Sequence, residues 1–160
     1  MILFSVLKAN DRKYSIGYSI NTTHITYFDE NRNDYKFYED NKVLTIESEK
    51  NKELIGLVAF KNSFGNDTVG IYLGHKIDKN NKKLYSVMRF GFLKGYNYID
   101  YLKSISDPEN HWYGFRNKTV FYKDYSVFGE VGLGYQFNKN FALESNLIAN
   151  AVVTSVKYTF

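Results

Sequence analysis

Three residues near the ends of two predicted strands have the side chains that acyl transfer requires: His24, Asn62 and Ser63. Histidine suits a general base because its ordinary pKa lies close to neutrality. A serine hydroxyl can act as the assisting hydroxyl, and an amide or carboxylate can orient the base. We therefore take His24, Asn62 and Ser63 as the candidate catalytic set, provided that the fold brings them together.

Period-two alternation dominates the sequence, and helical periodicity is nearly absent. In segment 14–21, Tyr and Ile occupy one face while Ser, Gly and Asn occupy the other. Polar turn signals divide the chain into eight predicted strands. These strands cover residues 13–28, 42–49, 53–63, 67–77, 83–98, 126–137, 141–148 and 150–160.

The connections between the predicted strands alternate in length. Short polar turns follow strands two, four and six, whereas long connections follow strands one and five, the latter covering about residues 99–125. This arrangement is typical of outer-membrane barrels. The sequence predicts a single all-β domain over residues 1–160, an eight-stranded antiparallel up-and-down barrel of the outer-membrane type. Strands one and three run in the same direction, so His24, Asn62 and Ser63 should reach the rim that carries the long loops.

The polar faces of the strands indicate which side of the barrel is wet. They are rich in glycine and small residues, which suits a narrow lumen, and Tyr and Phe recur at strand ends. The last strand alternates Val152, Val156, Tyr158 and Phe160, which resembles the terminal strand of outer-membrane proteins. These features favour a membrane barrel over a soluble lipocalin-like barrel, in which the apolar faces would point inward.

Two charged residues are predicted to face the lumen at similar heights, Arg89 on strand five and Glu130 on strand six. Gly91 and Gly132 beside them leave space. An unpaired charge inside a narrow barrel costs several kcal/mol, which a hydrogen-bonded pair largely offsets. We therefore expect an interior contact between Arg89 and Glu130.

Composition excludes several classes of site. The chain has no cysteine, which removes disulfides, Cys-ligated zinc and cysteine nucleophiles. Its three histidines lie too far apart for a metal motif, so no metal or cofactor is predicted. The net charge is +4, but Lys and Arg are scattered along the chain, so nucleic acid is not expected as a partner.

Residues 59–64, Ala-Phe-Lys-Asn-Ser-Phe, resemble the Ala-Phe-Lys-Asp-Ser-Trp segment of the lipid A palmitoyltransferase (PagP) family. Residues 22–24, Thr-Thr-His, are similar to that family's Thr-Trp-His segment, and Gly74 aligns with the glycine that floors its acyl-chain pocket. The resemblance implies a barrel in the bacterial outer membrane that moves a palmitoyl chain from a phospholipid to lipid A. It assigns His24 as base and Ser63 as assisting hydroxyl, and we expect a monomer.

The sequence departs from the family at the catalytic carboxylate, where it has Asn62. An amide can fix the tautomer of a histidine but cannot offset a developing imidazolium charge. Strict alternation also places His24 on the outward face of its strand, unless a bulge near Thr22 turns it inward. Three functions therefore stay open: an acyltransferase, a non-catalytic barrel that binds a lipid or partner, of a kind expected among phage-encoded relatives, and a soluble lipocalin-like carrier.

Overall fold

The computed structural model describes residues 12–24, 41–62, 65–78, 83–95, 121–122, 124–148 and 151–160. These residues form eight long strands and one strand of two residues. The strands are β1 (Lys13–His24), β2 (Leu44–Lys50), β3 (Glu53–Lys61), β4 (Asp67–Asp78), β5 (Leu84–Lys94), β6 (Phe121–Tyr122), β7 (Tyr125–Gln136), β8 (Phe141–Ile148) and β9 (Ala151–Thr159). Ser63, the predicted strand ends 25–28 and 96–98, and most of the predicted loop 99–125 lie outside the described residues.

The eight long strands form a closed antiparallel barrel. Each strand from β1 to β5 pairs with the next, β5 pairs with β7, and β7, β8 and β9 continue the sheet. Pairing of β9 with β1 completes the closure. The predicted eight-stranded antiparallel barrel is confirmed. The short β6 lies within the range predicted as a loop and pairs with the start of β7.

We call the two ends of the barrel the upper and the lower rim. The upper rim is where β1, β3, β5 and β8 end, and the lower rim is where β2, β4, β7 and β9 end. Both long connections, after β1 and after β5, leave from the upper rim, as predicted. Since β1 and β3 both end there, His24 and Asn62 lie at the same rim.

The lower rim has short turns. Asn51 and Lys52 connect β2 to β3, and both have positive φ, 53° and 72°. A two-residue hairpin with positive φ at both positions matches the right-handed twist of its strands, and Asn tolerates that backbone better than most residues. The β7–β8 turn is held by Asn138, whose side-chain Oδ1 accepts from the main-chain N–H groups of Asn140 and Phe141 at 2.9 and 3.0 Å.

The polarity of the barrel wall is the reverse of that in a soluble protein: charged side chains are buried inside, and large apolar side chains are exposed outside. On β4, Tyr72 is 2% exposed and its neighbour Leu73 is 65% exposed; on β5, Arg89 is 7% exposed and Phe90 is 59% exposed. Charged, polar and small residues thus face the lumen together with buried Val, Leu and Tyr side chains, and large exposed apolar side chains cover the outside. The outward set includes Ile16, Ile46, Ile55, Leu57, Ile71, Met88, Phe92, Val131, Leu133 and Leu147.

Aromatic rings gather on the outside of the barrel at the lower rim. Ring centroids of Phe141 and Tyr158 are 5.0 Å apart, and those of Tyr158 and Phe160 are 6.3 Å apart. Tyr135 and Phe137 form a further edge-on pair at 5.3 Å. Such a band is typical of the membrane interface in outer-membrane barrels.

Candidate functional site

A buried ionic cluster crosses the lumen, and Arg89 lies at its centre. Its Nε donates to Glu47 Oε2 at 2.8 Å, its Nη1 to Glu130 Oε1 at 2.6 Å and its Nη2 to Glu144 Oε2 at 2.9 Å. The expected contact between Arg89 and Glu130 is confirmed. The guanidinium fork has donors on three separate nitrogens, so each carboxylate binds a different nitrogen, whereas a lysine has only one nitrogen for all its acceptors.

A second cation and two phenols complete this cluster. Lys157 Nζ contacts Glu47 and lies 3.2 Å from Glu144 Oε1. Tyr72 donates its hydroxyl to Glu47 at 3.2 Å, and Tyr85 donates its hydroxyl to Glu144 at 2.9 Å. Hydrogen bonds to charged groups are among the stronger ones in proteins. We use "ionic cluster" below for Arg89, Lys157, Glu47, Glu130, Glu144 and the two tyrosines.

Glycines opposite the two tyrosines make room for their rings. Gly56 is the cross-strand partner of Tyr72, and Gly134 is the partner of Tyr85. A Cβ on Gly56 would lie 2.7 Å from Tyr72 Cε2, and one on Gly134 would lie 2.6 Å from the Tyr85 hydroxyl. Each ring therefore lies across its glycine, which directs the hydroxyl towards the ionic cluster.

Two apolar layers enclose the ionic cluster. Towards the upper rim, Val43, Val58, Leu93 and Val153 pack with the ring of Tyr72. Towards the lower rim, Leu54, Tyr85, Val87 and Ala142 pack together. The described lumen is thus filled with side chains at three levels, and the ion pairs of its middle level are at most 11% exposed. This arrangement plugs the barrel.

Sequence reasoning found Arg89 and Glu130 in this cluster but missed Glu47, Glu144 and Lys157. A signal for them is present, since each directly follows an apolar residue of the outward face; Lys157, for example, lies between Val156 and Tyr158, which face outward. Alternation gives the face of a residue but not its partner across the lumen. Partners at that distance depend on how the strands stagger when the barrel closes.

His24 lies on the inner face of the barrel because β1 contains a bulge. The pairing of β1 with β9 shifts by one residue between Ser19 and Asn21. Beyond this shift, Thr22 is paired with the buried Val153, and His24 shares the face of Thr22. Alternation alone places His24 on the outward face, and the bulge between Ser19 and Asn21 turns it to the inward face.

Asn62 lies at the upper rim, and its side-chain amide forms hydrogen bonds to main-chain atoms of two neighbouring segments. The residue is 0% exposed. Its Oδ1 accepts from the N–H of Asn66 at 3.1 Å, and its Nδ2 donates to the main-chain oxygen of Gly95 at 3.0 Å. The side chain therefore closes the β3–β4 turn and fastens it to the end of β5. The strands of His24 and Asn62 are separated by β2, a spacing of about 10 Å between backbones.

Gly74 lies on the inner face of β4, at the level of the ionic cluster. It is the cross-strand partner of Leu54 and Arg89. A Cβ at this position would lie 2.8 Å from Arg89 Cγ and 3.4 Å from Leu54 Cβ. The space beside Gly74 is thus occupied by the stem of Arg89. Of the four candidate residues, the structure describes His24, Asn62 and Gly74, and Ser63 falls outside its described residues.

Within the described ranges, no three His, Asp or Glu side chains group so as to hold a metal ion. None of the described segments forms a helix with the length and apolarity that a membrane span requires. The chain matches no family model, no curated protein and no solved structure.

Proposed function

We propose that this chain is a monomeric β-barrel embedded in the bacterial outer membrane, with a plugged lumen that does not conduct. One observation carries the proposal: ion pairs fill the lumen while large apolar side chains cover the outside. Contiguous exposed apolar surface of this extent is rare on soluble monomers. A lipid-embedded barrel needs it, because its outer wall contacts hydrocarbon. A soluble lipocalin-like carrier would have the reverse arrangement.

A single charge on the outer wall tests the membrane location. Leu73 is outward on β4, between Ile55 and Phe90 of the neighbouring strands. In lipid, Leu73→Arg should lower the free energy of unfolding by about 2–4 kcal/mol, the range for a cation near the bilayer midplane. Asp124→Arg, at an exposed position in the turn that precedes β7 at the upper rim, is the control and should have a small effect.

The measurement is urea unfolding in lipid vesicles, with the folded fraction followed by the different migration of heated and unheated samples on a detergent gel. A wild-type protein that stays monodisperse without detergent, or a Leu73→Arg variant as stable as Asp124→Arg, would overturn the membrane location. In planar bilayers the wild type should show no steady conductance, since the ionic cluster and two apolar layers fill the lumen.

A second proposal is acyl transfer from a phospholipid to lipid A, with His24 as base and Ser63 as assisting hydroxyl. The bulge in β1 supports it, because the bulge directs His24 to the inner face at the upper rim. A non-catalytic lipid-binding barrel is the alternative. It is favoured by the structural hydrogen bonds of the Asn62 amide and by the stem of Arg89 at Gly74, where an acyl chain would need space.

Mass analysis of lipid A after expression separates these two functions. For an acyltransferase, wild type adds one acyl chain to lipid A, and His24→Ala and Ser63→Ala each abolish the addition. Thr23→Ala, one residue from His24 but on the outward face, is the matched control and should retain activity. Unchanged lipid A in cells that contain folded wild-type barrel would instead support the non-catalytic alternative.

A further inference from the structure

A groove of about 500 Å³ crosses the outer wall of the barrel from β2 to the start of β7. This volume is in the range of sites that hold small ligands. Along one edge of the groove, each residue is the direct cross-strand partner of the next. This row consists of Leu44, Ala59, Val69, Lys94 and Tyr125. Ala59 has the smallest side chain in the row, so the groove is deepest at this residue.

A second row of paired residues forms the other side of this groove. Leu57 is paired with Ile71, and Ile71 is paired with Phe92. All three point outward and are exposed. The depression at Ala59 is thus bounded by larger apolar side chains, and the groove is apolar along nearly all of its length.

One end of the groove carries a positive charge. Lys94 is the last residue of β5 at the upper rim, and its Nζ lies 6.0 Å from the ring centroid of Tyr125. No ion pair joins Lys94 to a carboxylate of the described residues, whereas Lys61 nearby is paired with Asp67 at 3.5 Å. A lysine near the end of a membrane strand extends its amino group to the headgroup level.

We propose that this groove binds one anionic phospholipid, with its acyl chains on the apolar rows and its headgroup phosphate at Lys94. Charge complementarity selects the occupant, because an apolar groove that ends in a cation with no carboxylate partner among the described residues fits an amphiphile with a negative headgroup. The inference rests on the proposed membrane location and adds a defined lipid site to it.

Native mass spectrometry of the full barrel in detergent tests this site, with phosphatidylglycerol and phosphatidylcholine of identical chains as separate probes. Wild type should retain one phosphatidylglycerol in preference to phosphatidylcholine. Lys94→Gln should reduce phosphatidylglycerol retention about fivefold, since a lysine near an anionic headgroup contributes about that factor. Lys139→Gln, an exposed lysine at the lower rim, is the matched control and should retain wild-type binding.

A second variant tests the apolar part. Ala59→Phe fills the depression from the outside and should reduce retention of both lipids, while heated and unheated samples still migrate differently. Equal retention of the two lipids by wild type, full retention by Lys94→Gln, or a lipid-free dimer would each overturn the site. These outcomes can be distinguished from failure of the proposed membrane location, because in that case the wild-type protein would stay monodisperse without detergent.

Discussion

Replacing Arg89 with Met should destabilise the barrel more than a typical single substitution does. Arg89 is buried, and its three side-chain nitrogens each donate to a different carboxylate. Removing one partner of a buried ion pair costs about 3–5 kcal/mol, because the other charge is left uncompensated. In the variant, Lys157 remains as the cation of the ionic cluster for three carboxylates. We therefore expect the free energy of unfolding to fall by at least about 3 kcal/mol.

Urea unfolding in lipid vesicles, followed by gel migration of unheated samples, measures this loss. Arg89→Lys keeps the charge but offers one nitrogen to three acceptors, so its loss should be intermediate. Adding Glu130→Gln to Arg89→Met should recover stability, because Glu130 has Arg89 as its ion-pair partner in the cluster. Lys139→Met, an exposed substitution, controls for loss of a cation. An Arg89→Met variant within about 1 kcal/mol of wild type would refute the reasoning.

Three further predictions use the same unfolding measurement. Gly91→Ala should cost about 1–3 kcal/mol, since its Cβ would lie 2.7 Å from an aromatic carbon, whereas Gly129→Ala, with nearest atoms at 3.9 Å, should be close to neutral. Tyr85→Phe, which removes a buried hydroxyl bonded to a carboxylate, should cost about 1.5–3 kcal/mol, and the outward Tyr158→Phe should cost little. Asn62→Asp should lower the free energy of unfolding by about 1–3 kcal/mol, because the amide donor to the main-chain oxygen of Gly95 is lost; equal stability of wild type and variant would contradict this role.

The strands and the faces of their residues could be predicted from the sequence because alternation is a local property. The eighth predicted strand, 150–160, is β9, Ala151–Thr159, and the seventh agrees with β8 at both ends. The contact of Arg89 with Glu130 could also be predicted, since they are direct cross-strand partners on adjacent strands. Adjacency follows from the up-and-down strand order, and alternation together with the short turns at the lower rim places both residues on the inner face at similar heights.

The bulge in β1 and the wider ionic cluster depend on information that alternation does not carry. A bulge is one extra residue in one strand, and Ser19, Ile20 and Asn21 give no pattern that marks it. Its effect on His24 is nevertheless decisive, because one residue of shift reverses the face. Likewise, the contact between Glu47 on β2 and Lys157 on β9 requires closure of the whole barrel.

The ionic cluster also constrains the order of events during assembly. Four of its five ion pairs join residues separated by 42, 41, 55 and 110 positions along the chain. The fifth, between Lys157 and Glu144, joins residues 13 positions apart and can form within the β8–β9 hairpin. An open, half-inserted sheet would expose these charges to hydrocarbon without partners, at a penalty of several kcal/mol each. Insertion and closure should therefore occur as one concerted step, with a late, compact transition state and no long-lived open intermediate. The residues that fill the lumen of the folded barrel would then also determine the activation barrier to its insertion and folding.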